Sequence, residues 1–86
     1  MNINELIEIV KSKVEAEIVI QDIQIEDKSF LHKNHKGNQE GMFHLKLIIK
    51  SEELKKLNKI ESTKKVYSAL DNELKKHIHS IQILLS

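Results

Sequence analysis

Between Phe43 and Lys50 the chain reads FHLKLIIK, with Phe43, Leu45, Leu47 and Ile49 on every second position and His44, Lys46 and Lys50 on the intervening phase. Successive side chains of a strand point to opposite faces, so this alternation specifies a strand with one buried and one solvated side, the pattern of a half-solvated antiparallel sheet. Such a sheet needs a cover on its apolar side. Ile3, Leu6, Ile7, Val10 and Val14 keep the spacing of one helix face, and Asn2 and Glu5 are placed as a cap and its reciprocal partner. Residues 17–26, EIVIQDIQIE, are rich in β-branched side chains. Their alternation shifts phase from Ile18/Ile20 to Ile23/Ile25, which predicts a strand with a bulge near Gln21–Asp22.

Beyond the central strand, Ser51-Glu52-Glu53 reads as a helix cap with an acidic first turn. From Thr63 onward Val66, Tyr67, Leu70 and Leu74 predict a long second helix, with Lys64, Lys65, Asp71 and Lys75 mainly on its other side. The tail from Ile78 to Leu85 has the length of a strand, in which His79, Ile81 and Ile83 alternate with Ser80 and Gln82. The order is therefore α-β-β-α-β. A helix between the second and third strands implies a crossover, so the expected fold is α+β, a three-stranded mixed sheet with both helices on one face, in one domain over residues 1–86. Gly37 and Gly41, the only two glycines, fall in one polar stretch and mark it as the main loop.

An 86-residue chain buries roughly 60–65% of its surface on folding, which leaves room for one modest core and excludes a large multi-step enzyme. It has no cysteine, and this removes disulfides, thiolate zinc sites, thiol nucleophiles and self-sufficient iron–sulfur ligation together. Any metal chemistry falls to histidine or carboxylate. The start, MNINELIEIVKSKVEAEIV, is acidic and amphipathic where a secretory leader would be cationic and then apolar, and no apolar run approaches the ~20 residues of a bilayer crossing. The expectation is a cytoplasmic protein without membrane association, monomeric in isolation.

At several separated points the sequence resembles the BolA-like proteins. EDKSFLHKNH resembles the family's Asp-x-Ser-x-x-His loop motif at Asp27, Ser29 and His32, with His35 where many members carry a second histidine. FHLKLIIKSEEL resembles the family's His-Phe…Ser-x-x-Phe strand at His44, Leu45, Ser51 and Leu54, and the spacing continues through Tyr67 and LDNEL to HIHSIQI, where His79 falls on the family's C-terminal histidine. Two departures stand out. Ser62-Thr63-Lys64 replaces an Arg-His-Arg motif, and Leu45 and Leu54 replace aromatic residues, which implies a repacked core.

The resemblance implies a class II KH-like fold and a binding role in place of catalysis. BolA-like proteins associate with monothiol glutaredoxins and share a bridging [2Fe-2S] cluster with the glutaredoxin and its glutathione, in iron–sulfur trafficking and iron regulation; some are reported as transcriptional regulators. By resemblance the ligands from this chain are His79 and His32, with His35 the alternative to His32. Imidazole replaces thiolate on one iron in Rieske centres, so a mixed His/Cys site is chemically sound. Imidazole must be neutral to bind metal, so acidification is expected to weaken the complex.

Without the resemblance these residues read differently. His79, in line with Ile81 and Ile83, would be a satisfied structural histidine, and His32 and His35 solvated loop residues. His44 reads as a surface strand residue and His77 as a polar flank of the last strand. The rival site is the basic run Lys55, Lys56, Lys59, Lys64 and Lys65, of which Lys59, Lys64 and Lys65 would contact nucleic-acid phosphates in a KH-like DNA-binding regulator. Against it, all 14 basic residues are lysine, the net charge is +1, and Glu52, Glu53 and Glu61 balance the run. The loop Gly37-Asn38-Gln39-Glu40-Gly41 also lacks the Gly-x-x-Gly spacing of a KH clamp. Asp27, Ser29 and His32 offer a superficial triad on one short loop with no oxyanion hole to accompany it, so no enzyme is expected.

Overall fold

The computed structural model describes residues 2–28 and 43–86. Helix α1 (Ile3–Glu17) begins at the cap expected from sequence: the Asn2 side chain accepts from the Glu5 backbone N–H at 2.9 Å and donates to Glu5 Oε1 at 3.0 Å. Strand β1 (Asp22–Asp27) pairs antiparallel with β2 (Phe43–Lys50), and β2 pairs in parallel with β3 (Ile78–Leu85). The sheet is mixed, three-stranded and ordered β1-β2-β3, as the α+β reading requires.

Two boundaries differ from the sequence reading. Ile18 and Ile20 are not strand residues. Helix α1 runs to Glu17 and Ile18 caps it, its N–H still reaching the Val14 carbonyl, so the β-branched pair is spent sealing the helix end onto the core. Tertiary burial overrides β-propensity there. The expected bulge near Gln21–Asp22 is likewise not in the ladder, where Asp22 is already paired with Lys50 in unbroken register.

The crossover is three helices, α2 (Glu52–Lys55), α3 (Lys59–Ala69) and α4 (Asp71–Lys76), where one long helix was expected. Each break has a local cause. The Asn58 side chain caps α3 by accepting from the Glu61 N–H at 2.8 Å, and Leu70 leaves helical geometry at φ −108°, ψ 15° while its N–H still bonds back to Val66 and Tyr67. Ser51 opens α2 and also ties it to the start of the molecule. Its hydroxyl accepts from the Leu54 N–H and donates to the Val19 carbonyl, and Gln21 Oε1 accepts from the Glu52 N–H.

The core lies between the helices and one face of the sheet. Leu45, Leu47 and Ile49 from β2 meet Leu6, Val10 and Val14 from α1 and Leu54, Val66 and Leu70 from the crossover, all at most 2% exposed. In the ladder Ile23 and Ile25 sit opposite Ile49 and Leu47, and Ile81 and Ile83 opposite Leu45 and Leu47, so both neighbours contribute to the same face. The alternate set, Gln24, Glu26, His44, Lys46, Ile48, Ser80, Gln82 and Leu84, forms the other face. Tyr67, which keeps helical spacing with Val66, Leu70 and Leu74, is exposed on the outside of α3. Among the described residues no helix is long and apolar enough to cross a membrane.

Candidate functional site

The parallel pairing of β2 and β3 is regular from His44↔Ser80 to Ile49↔Leu85, but its first pair is Phe43↔Ile78. One residue of β3 is therefore extra, and it is His79. In such a bulge two residues of one strand oppose a single residue of the other. His79 and Ser80 both stand against His44. Ser80 Oγ lies 2.6 Å from His44 Nδ1, and the His44 and His79 rings stack with centroids 4.9 Å apart and planes 25° from parallel.

This corrects two expectations. His44 is not a surface residue: it is 6% exposed, although it alternates with the core residues and belongs to the other face. His79 is not aligned with Ile81 and Ile83; the bulge moves it out of their row and against His44, where it is exposed. The sequence did carry a signal for this. Ile78 is in the core together with Ile81 and Ile83, and a spacing of three between the first two breaks the two-residue period of a strand once, between His79 and Ser80.

The surroundings are charged. A depression of about 370 Å³ lined by Lys28, His44, Lys46, Ser80 and Gln82 adjoins the pair. Lys28 Nζ is 2.8 Å from Glu26 Oε1, and this hydrogen bond, with a smaller contribution from Lys46, holds the Glu26 carboxyl below its ordinary value of 4.5. The backbone on both sides is tied to the site. The Lys28 N–H donates to the His44 carbonyl at 2.7 Å, and the Phe43 N–H donates to the His77 carbonyl at 2.9 Å. His77, as expected, flanks the last strand by closing α4.

His32 and His35 lie outside the described residues, as do Ser29, Gly37 and Gly41. Their segment joins the described chain at Lys28 and Phe43, the two residues whose N–H groups are pinned beside the histidine pair. Among the described residues no group of three or more His, Asp or Glu is arranged to hold a metal ion. The donor chemistry is consistent with that: His79 presents one accessible imidazole, while Nδ1 of His44 is already engaged by Ser80. Such a set can contribute to a metal group held jointly with another molecule. It cannot hold an iron–sulfur cluster alone.

The lysines of the rival site are divided. Lys65 Nζ is 2.6 Å from Glu53 Oε2, which lowers the Glu53 pKa from 4.5, with a backbone hydrogen bond from Val19 assisting. Lys59 and Lys64 are instead brought together on the outer face of α3, in a groove of about 620 Å³ shared with Ile60, Thr63, Tyr67 and Leu74.

Comparison with known proteins agrees with the fold. The chain is 28% identical over 78 residues to the DNA-binding transcriptional regulator BolA of Haemophilus influenzae, covering 91% of this chain and 73% of that one. Its structure is similar to the BolA domain of SufE1 from Arabidopsis thaliana, with a TM-score of 0.77 and 23% identity over 100% of this chain and 93% of that one. It is also similar to BolA1 from Arabidopsis thaliana, with a TM-score of 0.74 and 26% identity over 90% and 85%. Residues 14–86, which include β2, the bulge and the stacked histidines, match the family model for BolA-like protein. With that match spanning the whole sheet and the crossover that closes it, the chain belongs to the BolA-like protein family.

Proposed function

We propose that this protein docks a monothiol glutaredoxin and contributes His79, together with His32 or alternatively His35, to a [2Fe-2S] cluster whose remaining ligands are thiolates of the glutaredoxin and its glutathione. The observation that carries the reading is the exposed imidazole of His79, displaced from the strand row by a bulge and seated on a buried neighbour, in a chain without a cysteine. A bulge is a device for re-aiming a side chain. The cluster, when bound, supplies electron-transfer and iron-delivery chemistry. The chain supplies nitrogen donors, and the Lys46 ammonium in the depression beside the histidine pair, where Lys28 is held by Glu26, favours a partner group that carries negative charge.

The test is co-expression with a monothiol glutaredoxin under anaerobic conditions, followed by visible absorption and circular dichroism of the purified complex. Loss of the mixed-ligand spectrum in His79→Ala is expected. An unchanged spectrum removes His79 from the ligand set.

A second reading, a DNA-binding regulator, is favoured by the stated activity of the Haemophilus influenzae relative and by the exposed Lys59 and Lys64 beside Tyr67. Two free lysines and one aromatic ring suit phosphate contact and stacking with little sequence readout. Titration with duplex DNA across a range of salt tests it. Absence of binding at low salt removes it.

A further inference from the structure

We propose that His44 is a positioning residue for His79: anchored by Ser80, its ring is the platform that fixes the orientation of the His79 imidazole and so the direction of its free nitrogen. The inference rests on the reading that His79 is a metal ligand, and adds how the fold prepares it. Three observations carry it. His44 is buried on the sheet face where its neighbours in phase, Lys46 and Lys50, are more exposed, so its ring is held by its surroundings. Ser80 Oγ sits at 2.6 Å from Nδ1, and because a hydroxyl can both donate and accept, the contact survives in either tautomer of the ring. The bulge then brings the two rings to 4.9 Å and nearly parallel.

An exposed histidine on a strand end samples several rotamers, and a ligand that must be ordered on binding loses affinity in proportion. Stacking on a fixed ring removes that freedom before the partner arrives. Ser80 serves twice, since it is both the anchor of the platform and the residue that follows the extra one in the bulge. Groups that orient a metal-bound histidine are worth about 10–100-fold in metal affinity, and the same range is expected here.

The experiment compares wild type with His44→Ala, His44→Phe and Ser80→Ala, first as the isolated protein and then in the glutaredoxin complex. In the isolated protein, nuclear magnetic resonance reads the χ1 couplings of His79 and the ring-current shift that His44 imposes on its Cε1 and Cδ2 protons. A single rotamer is expected in wild type, averaging in His44→Ala, and partial averaging both in Ser80→Ala and in His44→Phe, which keeps a ring but loses the Ser80 anchor. An equally fixed His79 ring in His44→Ala overturns the proposal, and so does averaging in wild type. In the complex, pulsed electron paramagnetic resonance of the reduced cluster reads the imidazole nitrogen coupling, and cluster loss to a chelator reads affinity. A weakened and broadened coupling with roughly tenfold faster loss in His44→Ala, partly restored by His44→Phe, supports the positioning role. A coupling that His79→Ala leaves untouched overturns the ligand reading, whereas the ring measurements on the isolated protein decide the platform independently. Ser80 is exposed, so Ser80→Ala keeps the test available if His44→Ala does not fold.

Discussion

The two faces of the sheet are made from the same three strands and have opposite constructions. On one, Leu45, Leu47 and Ile49 are closed over by α1 and the crossover, and every buried apolar residue of the helices joins that single cluster. On the other, one residue along in each case, His44, Lys46 and Ile48 line up with Ser80, Gln82 and Leu84 of β3. The first face is held by shape and by exclusion of water, which are indifferent to direction. The second contains a short hydrogen bond and a ring stack, which have direction. The comparison teaches that this fold gathers its apolar burial on one side and its directional polar contacts on the other, with His44 the exception that is buried on the polar side.

The strongest way to break the comparison is to remove volume from the first face. Leu47→Ala, at the centre of β2, is expected to cost about 2–5 kcal/mol in urea unfolding, while Ile48→Ala, its neighbour on the other face, is expected to cost less than about 1.5 kcal/mol. Equal losses would dissolve the division. Next in size is Lys13→Ala. Lys13 Nζ lies 3.5 Å from Oε2 of Glu73, a buried carboxylate at the helix side whose Oε1 has no hydrogen-bond partner among the described residues. Removing a partly exposed lysine from such a group is expected to lower stability by about 1 kcal/mol, and Lys13→Ala combined with Glu73→Gln to recover part of it. A double variant no better than the single one would show that the pair is uncoupled.

A smaller effect is expected at the second face: Ser80→Ala removes one half-exposed hydrogen bond, and thermal unfolding is expected to register at most about 1 kcal/mol. The smallest concerns acid. The folded-state pKa of Glu53 is depressed by Lys65, so the pair contributes stability above the ordinary carboxylate value of 4.5 and loses it as pH falls through the lower folded value. Wild type is therefore expected to lose slightly more stability than Lys65→Gln on acidification below pH 4.5, measured by thermal melts at each pH. Parallel melting curves for the two proteins would show that the α2–α3 bridge is inert.

The covered face was legible in the sequence because period and burial coincide there: Leu6, Val10 and Val14 at helical spacing, and Leu45, Leu47 and Ile49 at strand spacing, are all core. What failed did so where a local pattern is overruled from a distance. Ile18 and Ile20 have the side chains of a strand, but the space they fill is set by α1 and the helices across from it. The crossover was read as one helix since nothing in Val66, Tyr67, Leu70 and Leu74 announces the backbone change at Leu70, and the Asn58 cap resembles many polar residues that cap nothing. His79 was found as a candidate through the family resemblance, and its partner was missed. Alternation assigns His44 to solvent, and the pairing with β3, distant in sequence, sets Ser80 and His79 against it.

That distance has a further consequence. His44 and Ser80 are 36 positions apart, and the strands that bring them together are joined by the whole helical crossover. Parallel pairing across such a connection has to close a long chain segment before any contact rewards it, so it belongs to the late events of folding. A chain emerging during synthesis, with β1 and β2 made and β3 still to come, has no histidine pair, because His79 and Ser80 belong to β3. The stacked rings come into existence only when the last strand docks, so a partner that recognises them selects finished molecules.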